Sequence, residues 1–599
     1  MAILYIFIFL LYFFTQSKYI FGGDSAEFLT ASLTFSIPHP PSYPFYTLLA
    51  IFFQKIFFFL SPLNALNLLS IFSHILTLVF IKKILSLFNL KKTLILYSLL
   101  FYSFIFPIWL YGVVPEVYSL NNLIISALVY FGFKYLKTNK NIYRKIFFIC
   151  FGLGLAHHHS IVIFFLPFLF LQKKLISVDI FFSFIFIPFY LYPFIASHFN
   201  PPIDWENAKT ISGLIRLFTR SSYGTFSAYF GSTPNLINQL STLLSTLMLV
   251  IGDFKPLGIF FIIIGLISLK NKKGFLFKYL IFTSFLYLIF LYLTNFNLNQ
   301  SFSLATFERY LIGFYLILLF FLIFGINSID NFLLKIKKRI EKFKASNFIF
   351  LVYCLILSFY IFFNFFNNLK IIKFLKTANH YEKLAKTLLS VPEKNSILLL
   401  KSDITFFPVS YFYYYLKIRP DIALVFPPMF SRTYYRKKVV KEFPKLFIGK
   451  STSTIDFIEK NKNKIIYSEI PYSNDFLPFG ILWRHFPKNK TQKEYFSKVI
   501  QFNYDFWIKN RNLIYLNYNE RKILYYKALW EFYQEKLINF IVFLEKLKKY
   551  NELNNFLNNL LQNYDINEYK YLLNLLKNYL KENNSCKELN KINQKFFCY

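Results

Sequence analysis

Residues 22–44, GGDSAEFLTASLTFSIPHPPSYP, bring two carboxylates and an imidazole into one short stretch. Groups of these types exchange protons with a substrate when their surroundings tune them, which is general acid–base chemistry. Asp24 follows Gly22-Gly23 and precedes Glu27 by three residues, the spacing of a capping box at a helix start. On a helix that spacing puts both acids on one face. Pro38, Pro40 and Pro41 then break the helix and hold His39 in a stiff turn. The pattern suits equally a plain helix cap beside a solvated histidine. Further along, His157-His158-His159 falls in a predicted junction between two short apolar segments. Adjacent histidines do not face one point on a helix, and no carboxylate cluster adjoins them. Hydrogen bonding by His158 in a polar cavity, or packing, is therefore expected ahead of metal ligation.

The elements that must position these residues are membrane helices. Of 599 residues, 56% are hydrophobic, 83 are Phe and 45 are Tyr, and only 16% are charged. A soluble domain carries about 25% charge. The apolar residues cluster in runs of roughly 15–20 between short basic loops, as membrane-spanning helices do. The first run, 2–15, is short and reads as a span or a signal peptide, and either role exports the loop after it. Pro44 to Leu60, interrupted by Gln54-Lys55, reads as a helix lying at the interface. Clearer spans are expected at 63–81, 93–111, 117–134, 145–157, 160–172, 176–196, 256–269, 276–294, 309–328 and 347–366. The fold class is thus mainly α, a polytopic bundle of about 11 spans.

Lys82-Lys83 with Lys91-Lys92, Lys134 to Lys145, Lys173-Lys174, Lys270 to Lys273 and Lys335 to Lys344 all fall on one side if the N-terminus is cytoplasmic, as the positive-inside rule requires. Seven of the ten acids in residues 1–366 then lie on the outer side: Asp24, Glu27, Glu116, Asp204, Glu206, Asp253 and Glu308. Ionisable groups near the bilayer are costly and often functional, so a site is expected on that face. The net charge of +37 sits in short loops and a mixed C-terminal region with no nucleic-acid motif, so nucleic acid is not an expected partner. Cys150, Cys354, Cys586 and Cys598 show no metal spacing; Cys586 and Cys598 are as readily a pair as two free thiols.

The chain divides into a transmembrane region, 1–366, an exported α/β region, 367–519, and an exported helical region, 520–599. SILLL at 396–400, a helical stretch with YFYYYL, and ALVF after Arg419-Pro420-Asp421 read as a strand–helix–strand unit. KIIYSEI at 464–470 reads as another strand. From about 520 the pattern turns to Leu/Tyr/Lys/Asn helices with polar breaks.

Several motifs in order carry a family resemblance. DSAEFLTASLTFSIPHPPSYPFYTLL resembles the signature loop of the transmembrane O-mannosyltransferase-like family, once known only as a domain of unknown function and grouped with the GT-C glycosyltransferases. PEVYSLNNL at 115–123, GLGLAHHHS at 152–160, NPPIDWENAKTISGLIRLFTRSSYG at 200–224, ERYL at 308–311 and KSDITFFPVSYFYYYLKIRPDIALV at 401–425 are similar in turn. The resemblance covers about residues 1–430. Gly would be more usual where Ala26 and Ser42 stand, which touches packing more than chemistry.

The resemblance implies a GT-C-like fold with a long first outer loop. It implies inverting transfer of a hexose such as mannose from a polyprenyl-phosphate carrier to a hydroxyl, such as that of Ser or Thr in an exported protein, or of a glycan. Asp24 matches the family's loop acid as general base, with Glu27 second. His39 would hydrogen-bond the carboxylate or the phosphate. Glu116 would hold sugar or acceptor, unless it is an interfacial cap. Arg309, then Arg220, would bind phosphate through the guanidinium fork, unless they form a local ion pair or reach lipid headgroups. No cofactor is required, and a divalent metal is the less expected possibility. Membrane lipids, the carrier-linked sugar and the acceptor are the implied partners. A transporter or lipid flippase is the main alternative; it would place charges near the bilayer midplane and show inverted repeats, neither of which is clear. A non-catalytic membrane scaffold is the other.

Overall fold

A computed structural model describes residues 1–175, 178–225, 235–272, 274–339, 345–448, 453–486 and 492–561. Cys586 and Cys598 lie outside the described residues. The chain divides into two compact units, Met1–Ala378 and Asn379–Tyr599.

The first unit is helical throughout: α1 (Ala2–Thr15), α2 (Ser25–Thr34), α3 (Pro44–Ile56), α4 (Pro62–Leu87), α5 (Lys92–Phe104), α6 (Phe106–Gly112), α7 (Tyr118–Thr138) and α8 (Asn141–Leu155) come first. They are followed by α9 (Ile161–Leu171), α10 (Phe186–His198), α11 (Ile211–Thr219), α12 (Leu236–Lys272), α13 (Phe275–Leu293), α14 (Ser301–Tyr310), α15 (Ile312–Arg339) and α16 (Ala345–Ile372). Among the described residues, six helices are long and apolar enough to cross a membrane: Pro62–Leu87, Val178–His198, Leu236–Asn271, Phe275–Leu293, Ile312–Lys335 and Leu351–Ser390. The pair α5 and α6, bent by 70°, makes a seventh if it is one broken span.

The expected eleven spans are therefore not all seen as such. Segments 2–15, 117–134, 145–157 and 160–172 do form helices, but α1, α8 and α9 are short for a bilayer that needs about 20 residues. The first half of α12 has no counterpart among the expected spans. Residues 236–254 extend α12 ahead of Pro256, and Lys255 at φ 57° marks the break between its two halves.

Packing explains why the short helices are stable. Tyr12 of α1 is buried between His74 and Trp109, stacked at 4.6 and 5.9 Å, and its hydroxyl donates to the Ser103 carbonyl at 2.7 Å. In α12 and α15, Gly265 and Gly325 let the backbones touch. An added Cβ would lie 1.8 Å from the Phe321 oxygen in one case and 1.9 Å from the Phe261 oxygen in the other. Small residues of this kind set close helix approach in membranes. That contact anchors α15 and, just before it, α14, which carries Glu308 and Arg309.

The second unit holds a five-stranded sheet: β1 (Ile397–Leu399), β2 (Ala423–Val425), β3 (Ile466–Ser468), β4 (Phe476–Phe479) and β5 (Leu482–His485), in the order β2-β1-β3-β5-β4. The expected strand–helix–strand unit is present, with β1 parallel to both β2 and β3. The β4–β5 hairpin, turning at Gly480 with φ 65°, is an addition to the strands expected from sequence. Helices at Leu524–Lys546 and Tyr550–Leu561 account for the described part of the expected helical region.

Candidate active site

Asp24 stands at the N-terminus of α2, but its side chain makes no cap hydrogen bond. The expected capping box does not form, because stronger partners claim both acids. Asp24 Oδ2 accepts from Arg309 Nη1 at 2.9 Å, and His39 Nε2 lies 3.9 Å away. Glu27 Oε1 accepts from the His39 backbone N–H at 3.1 Å and from Trp205 Nε1 at 2.6 Å, while Oε2 meets His39 Nδ1 at 2.5 Å.

The local backbone makes this possible. After α2, Phe35 (φ 51°), Ser42 (φ 73°) and Tyr43 (φ 44°) take left-handed conformations, Pro40–Pro41 is cis, and Ser42 N–H donates to the His39 carbonyl at 2.7 Å. The chain thus doubles back and lays His39 against α2. Left-handed backbone favours glycine, and Ser42 adopts it at φ 73° without being one.

Glu116, just ahead of α7, accepts from the same Arg309 Nη1 at 2.8 Å. Arg309 is 2% exposed, and its guanidinium lies 5.7 Å from the centre of the Tyr118 ring. Burial alone would raise the Asp24 carboxyl, but Arg309, His39 and Arg220 together hold it below the usual range. Burial pushes Glu116 up to about 7; Arg309 opposes the rise and Asp24 adds to it. Access separates the three acids. The Asp24 side chain is 15% exposed, while those of Glu27 and Glu116 are fully sealed.

His158 lies between the ends of α8 and α9, as the sequence suggests, with its ring near Tyr43, Tyr118 and Tyr310 at 6.1, 5.6 and 6.3 Å. Its Nδ1 accepts from the Ser160 backbone N–H at 3.3 Å, which puts the neutral ring's proton on Nε2. Burial, then the neighbouring His157, His159, Arg220 and Arg309, hold it far below its usual value, so it is uncharged at neutral pH. Among the described residues, no three His, Cys, Asp or Glu side chains converge as metal ligands would.

Arg220 caps α11 in a left-handed conformation and lies over Tyr223 at 5.5 Å. Its Nε is buried and has no hydrogen-bond partner among the described residues. Its charge is felt at Asp24, Tyr43 and His158. All seven residues singled out from sequence therefore gather in one neighbourhood: Asp24, Glu27, His39, Glu116, His158, Arg220 and Arg309.

The structure adds the groups that hold them. Asp204 accepts from Ser197 Oγ at 2.5 Å and from Asn207 N–H at 2.9 Å, and its backbone pairs with Ile37. Glu206, fully buried, accepts from Ser222 Oγ at 2.5 Å and faces Arg216 at 3.3 Å, which fixes the segment bearing Arg220. Trp205 ties that loop to Glu27. Tyr43, Tyr118 and Tyr310 also line the neighbourhood, although their residue type alone does not single them out. The available signal is their adjacency to His39, Glu116 and Arg309 within the same motifs.

Residues 24–175 match the family model described as the protein O-mannosyl-transferase TMEM260 N-terminal domain. Along more of its length, the chain is 24% identical over 568 residues to "Protein O-mannosyl-transferase tmem260" of Dictyostelium discoideum, covering 82% of this chain and 67% of that protein. It is 23% identical over 546 residues to "Protein O-mannosyl-transferase TMEM260" of Mus musculus, covering 85% of this chain and 76% of that one. The chain is thus similar along most of its length to proteins named protein O-mannosyl-transferase, and its long apolar helices fit a multi-pass membrane protein.

Proposed function

We propose that the protein is a membrane glycosyltransferase that moves a hexose, mannose by the names of its relatives, from a polyprenyl-phosphate carrier to a hydroxyl of an exported protein. The reaction is an inverting displacement. The acceptor oxygen attacks the anomeric carbon, the carbon–oxygen bond to phosphate breaks with its electron pair leaving on the phosphate, and the hydroxyl proton passes to Asp24. A neutral hydroxyl is a poor nucleophile, so a carboxylate within hydrogen-bond reach must take that proton as the bond forms. Phosphate needs only positive charge to leave.

The observation that carries this reading is the difference in access among the three acids, which leaves Asp24 open where Glu27 and Glu116 are sealed. Glu27 then acts as a positioning residue, holding His39 and Trp205 around the base. Sequence alone ranks Arg309 ahead of Arg220 for the phosphate. In our reading the order reverses, because Arg309 Nη1 already serves two carboxylates while the Arg220 guanidinium pairs with no carboxylate among the described residues. The site opens away from the cytoplasm, and the second unit is exported.

Asp24→Asn tests the assignment. Arg309 keeps Glu116 as its partner, so the variant should fold and insert normally. Transfer from purified polyprenyl-phosphate mannose to an acceptor pool should fall by about 10²–10⁴, the usual contribution of a general base. Turnover within a few-fold of the parent would remove Asp24 from that role.

A further inference from the structure

Arg309 serves two acids through one nitrogen. Its Nη1 lies 2.9 Å from Asp24 Oδ2 and 2.8 Å from Glu116 Oε1. The two carboxyls are not equivalent: Asp24 reaches the open side, whereas Glu116 is sealed. The second oxygen of Glu116, Oε2, is buried with no hydrogen-bond partner among the described residues. A sealed carboxylate that shares its cationic hydrogen-bond partner is poorly compensated, and its charge is the easiest in the cluster to lose.

We propose that Glu116 is a positioning residue: ionised, it draws Arg309 toward itself and leaves Asp24 free to take the proton of the attacking hydroxyl; protonated, it surrenders Arg309 to Asp24. The proposal rests on the reading of Asp24 as the base.

The groups that face Glu116 come from every element around it. Arg309 approaches from α14, Asp24 and His39 from the first loop, Tyr46 from α3 and Tyr118 from α7. Burial, opposed by Arg309 and reinforced by Asp24, brings Glu116 to about 7, while Asp24 stays below the usual carboxylate range. Near neutral pH, then, Glu116 changes its charge and Asp24 does not. Above about pH 7 Glu116 is ionised, Arg309 is shared, and Asp24 is the stronger base. Below it, Arg309 belongs to Asp24 alone and suppresses its basicity. Activity rises with pH through that value even though the base itself titrates well below it.

The test is kcat/KM for mannose transfer from polyprenyl-phosphate mannose, measured between pH 5.5 and 8.5 for the parent, Glu116→Gln and Glu116→Asp. The parent profile should rise through about pH 7. Glu116→Gln, which copies the protonated form, should match the parent near pH 6 and fall about three- to tenfold below it at pH 8. That is the response of a base that loses roughly one pK unit of proton affinity at partial proton transfer. Glu116→Asp keeps a titrating group and should keep a rising limb, moved along the pH axis. A purely structural role predicts a Gln profile parallel to the parent's at every pH, and that result overturns the proposal. So does a parent profile that is flat from pH 6 to 8, which decides the matter even if Glu116→Gln fails to fold. An inactive Asp24→Asn beside an unshifted Glu116→Gln profile sinks only the role of Glu116, whereas an active Asp24→Asn sinks the base.

Discussion

Arg309→Met puts the charge architecture under the most direct strain. The guanidinium is 2% exposed and bonds two carboxylates at 2.9 and 2.8 Å, so the substitution strips both of their cation at once. Removing one partner of a buried charge pair costs about 3–5 kcal/mol. Glu116 has an escape, because it already titrates at about 7 and can take up a proton at neutral pH. Completing that protonation costs about 1 kcal/mol or less, so most of the penalty falls on Asp24. The expected net loss at pH 7 is about 2–4 kcal/mol. The sign against pH is set by the shifts. In the parent, Asp24 is held below its usual value, so its contribution is present above the ordinary carboxylate range and fades as pH falls. Without Arg309 both carboxyls rise, so the variant is least impaired in acid and loses stability as pH increases. Thermal unfolding of the detergent-solubilised protein, followed by fluorescence at pH 5.5 and 8, should show the gap between parent and variant widening with pH. The neutral triple variant Asp24→Asn/Glu116→Gln/Arg309→Met should recover most of the loss. A variant that melts with the parent at pH 8, or a triple variant no better than the single, would refute the reasoning.

Other expectations concern neighbouring parts of the cluster. Burial, then Asp253, raise the Glu308 carboxyl to about 8 against the opposing pull of Tyr111 and Arg309, so it is neutral in the folded protein at pH 7. Stability from this group is fully present below its ordinary value of 4.5 and is lost as pH rises to about 8. Glu308→Gln should therefore flatten the decline in melting temperature between pH 5 and 8. Trp205→Phe removes the 2.6 Å donor to Glu27 and should cost about 1.5–3 kcal/mol in the same melts, with transfer reduced. Ser42→Gly relieves a left-handed serine at φ 73° and should raise stability by up to about 1 kcal/mol. A reporter fused at residue 87 should read cytoplasmic and one at residue 400 exported; the reverse pair would turn the proposed site toward the cytoplasm.

The candidate site residues are more legible in the sequence than the architecture, for a physical reason that particular residues show. Asp24, His39, Glu116 and Arg309 stand out because an ionisable side chain in an apolar chain is costly and needs a partner. Their type and place in ordered motifs single them out as candidates, and the fold brings them into one neighbourhood. Span counting is less secure. Apolar runs look alike whether a helix crosses the bilayer by itself or is short and packed among others, so α1, α8 and α9 resemble full spans. Conversely, 236–254 escapes notice because Asn238, Gln239, Ser241, Thr242, Ser245 and Thr246 dilute its apolar run, and Asp253, Lys255 and Pro256 interrupt it before the next. In the folded chain that interruption is a break between two helix halves, not an end.

Sequence alone determined that the chain is a membrane protein, that its acids favour one side of the expected topology, and that a loop carboxylate and two arginines are the groups to watch. Those conclusions come from composition and local order, which are properties of the chain before it folds. Which acid is open, which are sealed, and that Arg309 reaches back across the chain to Asp24 were decided by tertiary structure alone. Access and shared hydrogen bonds depend on distances between segments far apart in sequence, and no local pattern encodes those distances.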